Sequence, residues 1–96
     1  DNAKLDAQKD LARLRMVRVL IDQNELDQAL ELTRQTTSEA FVSLFAELEG
    51  DIYLLQQDKA QAYEAYRKAI ASMEANDPRQ TLLEMKRDDV AVINEG

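Results

Sequence analysis

Glu47 and Asp51 are the nearest this sequence comes to a catalytic pair. Four residues apart on a helix, they share one face, where one carboxyl could hold a proton that the other accepts. Acid–base work also needs a pocket and a reacting group held beside the pair. The sequence supplies neither, so the pair reads as a solvated face. Asp88 and Asp89 are adjacent, point about 100° apart on a helix, and lack the alternating oxygen ligands of a calcium loop. There is no histidine and no cysteine. That removes the usual zinc sites, thiol nucleophiles and imidazole acid–base chemistry. Gly50 and Gly96 are the only glycines, so no glycine-rich phosphate loop exists. The chain reads as a non-enzyme with no cofactor and no metal.

The charges exclude other partners. A formal net charge of −7 argues against nucleic acid, which requires a concentrated positive surface. "RLRMVR" brings Arg13, Arg15 and Arg18 close in sequence, but they splay around a helix and read as solvated or ion-paired. Without cysteine, disulfides are excluded and the redox compartment is undetermined. No run of about 18 apolar residues is present to cross a membrane, and no signal peptide is visible. The opening "DNAKLD" has no methionine, which suggests a piece of something longer, so any targeting or anchoring element could lie outside it.

Two glycines and one proline in 96 residues leave few helix breakers, which predicts an all-helical domain. Leu5, Leu11, Leu14, Val17, Leu20 and Ile21 recur at helical spacing and predict a first helix over 5–21. Asp22 and Asn24 suit a turn, and Leu26, Ala29, Leu30 and Leu32 mark a second helix. Thr36 and Glu39 fit a capping box. The third helix, about 38–56, is apolar on more than one side, as expected between two neighbours. A fourth runs over about 59–75. Asp77 is placed to cap a fifth, with Pro78 at its first position and Gln80 reaching back, ending near Asp89. The last residues fit either a helical extension or an extended tail. Met16, Met73 and Met85 read as core filler.

A repeat organises these elements. "DQNELDQAL" from Asp22 matches the frame of "LQQDKAQAY" from Leu55, an offset of 33 residues. Gln23 then falls on Gln56, Glu25 on Asp58, Gln28 on Gln61 and Ala29 on Ala62. A helix–turn–helix unit with a period of about 34 residues resembles a tetratricopeptide repeat. Gly50, Tyr53, Ala62, Tyr66 and Ala69 resemble that repeat's small–aromatic–small signature. Gly50 and Ala62 are expected at the crossing of the second hairpin, and Tyr66 and Ala69 towards the next helix. The first unit is degenerate, with Val17, Leu20, Thr33 and Thr36 at the places of Gly50, Tyr53, Tyr66 and Ala69. The expected fold is all-α, about two tetratricopeptide-like hairpins (5–36 and 38–75) and a capping helix (78–89) in one domain. An unrelated bundle of hairpins is the alternative.

A narrower resemblance lies in "LARLRMVRVL", "AELEGDIYLLQQDKAQA" and "LLEMKRDD". From Leu11 to Val90 the chain resembles the C-terminal half of the YfgM-like family, the ancillary SecYEG translocon subunits. The resemblance implies a periplasmic domain on a membrane-anchored protein, with the translocon and periplasmic chaperones as partners. Its role would be to assist export or chaperoning. A generic tetratricopeptide scaffold, possibly cytoplasmic, with an unrelated protein partner stays open beside it.

In such arrays the first helix of each unit lines the binding face. Here that face would comprise Leu14, Arg18 and Ile21 from the first unit, and Leu44, Glu47, Asp51 and Leu54 from the second. Leu14, Glu47 and Asp51 stand where a carboxylate clamp would carry basic or amide side chains, which argues against one. Leu14, Leu44 and Leu54 are the expected apolar anchors. The same face would equally serve to pack on further N-terminal helices.

Overall fold

The structure, a computed structural model, describes residues 2–35 and 38–94. Five helices follow in order: α1 (Asn2–Asp22), α2 (Leu26–Thr33), α3 (Val42–Leu55), α4 (Lys59–Ser72) and α5 (Gln80–Asn94). A single 3₁₀ turn, Glu39–Phe41, leads into α3, and the described residues contain no strand. The fold is all-α.

The two hairpin turns repeat bond for bond. At the end of α1 the backbone N–H groups of Asn24 and Glu25 donate to the carbonyls of Ile21 and Leu20. At the end of α3 those of Gln57 and Asp58 donate to Leu54 and Tyr53 in the same pattern. Each is a Schellman closure, which satisfies helix-end carbonyls by placing one residue in the left-handed region. Asn24 at φ 61° and Gln57 at φ 64° hold that place. The following helices start alike, with Ala29 N–H donating to the Glu25 carbonyl and Ala62 N–H to that of Asp58. The 33-residue offset is therefore a property of the backbone as well as of the side chains.

Packing joins the hairpins into a slab measuring 49 × 33 × 16 Å. α1 pairs with α2, α3 with α4, and α5 lies against α4. One core holds Leu14 and Val17 of α1, Ala29 of α2, and Phe45 and Ile52 of α3. The other holds Ala46 of α3, Ala62, Tyr66 and Ala69 of α4, and Leu83 and Val90 of α5. α3 thus buries apolar residues on two sides, which is why its sequence is apolar around so much of its circumference. Burying side chains such as Phe45 and Ile52 stabilises the fold by roughly 1.5–3 kcal/mol each.

Several details differ from the expectations. α1 begins at Asn2, and its Leu5 and Leu11 are exposed rather than core-facing. Met16 and Met85 are exposed too; only Met73 packs against a core. Thr36 of the expected capping box lies outside the described residues. At that junction the wholly buried Asp10 of α1 reaches across, its Oδ2 accepting the Ser38 N–H at 2.7 Å. Arg13 Nη1 meets its Oδ1 at 2.9 Å, so this arginine is ion-paired. Asp77 accepts the Arg79 N–H at 2.8 Å, while Gln80 turns to Glu84 instead of reaching back. α5 starts two residues after Pro78 and continues past Asp89, so the ambiguous end is helical as far as Asn94.

Candidate functional site

The second hairpin is built around Gly50 and Tyr66. Tyr66 on α4 is 1% exposed, and its ring fills the hollow left by the missing side chain of Gly50 on α3. A Cβ at Gly50 would lie 2.5 Å from Tyr66 Cε1, and the three atoms nearest to it all belong to that ring. Gly50 therefore makes room for Tyr66, one helical turn beyond the expected contact with Ala62. Ala62 is itself fully buried in the same core. Small residues on α3 and α4 let the helices approach, and the tyrosine fills the remaining space.

The Tyr66 hydroxyl then starts a polar chain. It donates to Asp51 Oδ1 at 2.6 Å. Lys86 Nζ, on α5, lies 3.1 Å from the same oxygen, 2.8 Å from Glu47 Oε2, and 5.8 Å from the centre of the Tyr66 ring. Arg79 Nη2 lies 3.0 Å from Glu47 Oε1 and donates to Ser43 Oγ at 3.2 Å. Ser43 Oγ in turn donates to the Ala69 carbonyl at 2.7 Å. Glu47 and Asp51 sit one turn apart on α3, and Arg79 and Lys86 sit two turns apart across α5's start. Two acids thus grip two bases and hold α5 on α3. Glu47 and Asp51 are structural fasteners, not the solvated pair expected.

Electrostatics follow from that grip. Burial alone would raise the Glu47 carboxyl, but hydrogen bonds from Lys86 and Arg79 together hold it below its ordinary value. Lys86 is pushed down by burial and up, by more, by Glu47 and Asp51, so its ammonium is held above the usual lysine range. Burial first, then the Asp51 hydrogen bond and the charges of Asp51 and Glu47, push the Tyr66 phenol far up. All three groups are locked in one protonation state at neutral pH. None is poised for proton transfer.

The expected binding face is split by this arrangement. Leu14 is 7% exposed and belongs to the first core, so it cannot anchor a partner. Leu44 is half-buried against that core. Glu47 and Asp51 are occupied by α5. Arg18 is exposed, Ile21 is half-buried, and Leu54 is 42% exposed. Ile21 and Leu54 are related by the 33-residue offset, so the open part of the face carries one apolar residue from each unit. No group of acids among the described residues could hold a metal ion. The arrangement can offer a surface.

The sequence reading missed Arg79 and Lys86 as partners. A signal existed: two bases seven residues apart, one just before a helix and one within it, match two acids four apart on another. Which helix faces which was not written in that spacing. The buried Asp10 was missed as well, because a carboxylate that accepts from the distant backbone of Ser38 leaves no local motif.

Comparison with known proteins agrees with this architecture. Over 91 residues the chain is 32% identical to a protein of Neisseria gonorrhoeae named ancillary SecYEG translocon subunit. The alignment covers 90% of this chain and 44% of that protein, so the chain spans less than half its length. No solved structure matches. Residues 1–92 match the family described as tetratricopeptide repeat-like domain. By that match, with which the repeated bonding of its two hairpin turns agrees, the chain belongs to the tetratricopeptide repeat-like domain family.

Proposed function

We propose that this domain is the protein-binding part of an ancillary Sec translocon subunit, held at the periplasmic face of the inner membrane. There it assists exported chains or their chaperones. The observation that carries the reading is the repeat-related pair Ile21, half-buried, and Leu54, 42% exposed, on the first helices of two stacked hairpins. Apolar anchors at equal repeat positions, flanked by Arg18, fit an extended or helical protein segment laid across the units. The named relative from Neisseria gonorrhoeae supports the translocon as the setting. No described helix is long and apolar enough to cross a membrane; a membrane anchor would lie elsewhere in the whole protein.

Glu47 and Asp51 act indirectly in this reading, by setting the position of α5 beside the face. The test is the affinity of the chain for purified SecYEG in lipid nanodiscs, with and without Ile21→Gln and Leu54→Gln. A loss of tenfold or more with helicity intact is expected. Unchanged affinity would reject the face, and no binding by the parent chain would favour a tetratricopeptide scaffold for another protein.

A further inference from the structure

Two helices dock alike but with different chemistry. α3 sits on the first hairpin through Phe41, Phe45, Leu48 and Ile52, all packed in the core that holds Leu14, Val17 and Ala29. Their spacing of four, three and four residues makes one helical stripe. Arg79, Leu83, Lys86 and Val90 repeat that stripe on the second hairpin, each 38 residues after its counterpart. Arg79 shares the helical spacing, because its carbonyl accepts the Leu83 N–H at 3.0 Å. Leu83 and Val90 are buried in the core of Tyr66 and Ala69, as Phe45 and Ile52 are in theirs. The other two anchors are basic instead of apolar: Arg79 stands for Phe41 and Lys86 for Leu48.

The two docks therefore answer differently to ions. At α5 the bases close on two acids of α3, Arg79 on Glu47 at 3.0 Å and Lys86 on Glu47 and Asp51 at 2.8 and 3.1 Å. Asp77 in the preceding loop also pairs with Arg79, and the Tyr66 hydroxyl shares Asp51. The two bases and two acids keep between 16% and 34% of their side chains open to solvent, so dissolved ions reach them. Salt screens such pairs and leaves apolar contacts in place. Among the described residues α5 is tied to the rest by one loop, residues 73–79, where Asn76 takes a left-handed turn at φ 66°.

We infer that α5 is a charge-held clasp, which opens as a unit from the second hairpin about residues 73–79 while α3 stays docked on the first. Such an opening is local unfolding, which costs less than unfolding the whole domain. Arg79, Lys86, Glu47 and Asp51 set how often it happens. Opening uncovers Ala62, Tyr66 and Ala69, all buried when the clasp is shut. The ion pairs thus govern access to an apolar seat. Opening needs no partner, so it stands or falls separately from the Ile21–Leu54 face.

The test is hydrogen–deuterium exchange of the parent chain, read by mass spectrometry, at about 0.05 M and about 1 M sodium chloride. At the higher salt the screening length falls to about 3 Å, and amides of α5 are expected to exchange about threefold faster or more. Amides of α3, docked through apolar anchors, should change by less and serve as the internal control. Lys86→Gln should speed α5 exchange at low salt and shrink its response to added salt. Exchange of α5 that is constant or slower at high salt would overturn the clasp, and that series needs no variant to fold. Acceleration of α3 in step with α5 would overturn it too, since the whole domain would then be opening. So would a Lys86→Gln chain with the full salt response of the parent.

Discussion

The ring of Tyr66 occupies the space that any side chain at Gly50 would need, 2.5 Å from the position of an added Cβ. Gly50→Ala sets two effects against each other. Replacing a mid-helix glycine favours the helix by about 1 kcal/mol. Overpacking a fully buried ring costs roughly 1–3 kcal/mol, and this ring cannot swing aside without breaking its bond to Asp51. A net loss of stability is expected, read as a lower urea midpoint. Combining Gly50→Ala with Tyr66→Leu should recover part of the loss attributable to Gly50→Ala, because the clash partner is gone. An alanine that stabilises the parent chain would show that the helices are further apart than described.

The acid side of the pH profile should report Glu47. Its carboxyl is held below the ordinary 4.5, so between the two values the unfolded chain binds the extra proton. The stabilisation is complete above about pH 4.5 and is lost as pH falls through the lowered folded value. Glu47→Gln should flatten the profile in that window and lower stability at neutral pH, where it leaves Arg79 and Lys86 with one acid fewer. A profile for the variant parallel to that of the parent would mean the grip on α5 is absent in solution.

The alkaline side has the opposite sign. Tyr66 and Lys86 are both raised, from ordinary values of 10.0 and 10.5. The folded chain keeps protons that the unfolded chain releases, so stability is complete below about pH 10 and falls as pH rises beyond it. Tyr66→Phe should remove part of that fall while keeping the ring that fills the Gly50 hollow. Melting temperatures between pH 8 and pH 11 measure it; identical slopes for parent and variant would contradict the assignment.

Asp10→Ala should be costly for a residue with no place in the apolar pattern. It removes the carboxylate that accepts the Ser38 N–H and pairs with Arg13, at an expected loss of about 1–3 kcal/mol. Asp10→Asn, which keeps an acceptor, should lose less. Equal and negligible losses would mean the α1–α3 junction does not depend on this carboxylate.

How much of this was legible beforehand depended on whether the determinant was local. The hairpin turns were readable, because Asp22–Asn24 and Gln56–Lys59 carry their turn chemistry within a few residues. The two-sided apolar surface of α3 marked its central place for the same reason. Gly50 and Tyr66 were rightly singled out, but their contact was displaced by one turn, since the spacing of small residues does not fix the axial register of two helices. Leu14 looked like a groove residue by repeat position. It is buried because the degenerate first unit packs it against Phe45 and Ile52. Glu47 and Asp51 looked solvated because their partners, Arg79 and Lys86, lie more than thirty residues away.

The central claim is that a protein partner is bound across the open first-helix face. Site-specific photo-cross-linking tests it most directly, with a benzophenone side chain placed at Leu54 and, as control, at the exposed Lys68 of α4. The reaction is run with SecYEG and a stalled export substrate. The account predicts adducts to a translocon subunit or to the exported chain from position 54 and none from position 68. Adducts from position 68 with none from position 54 would contradict it.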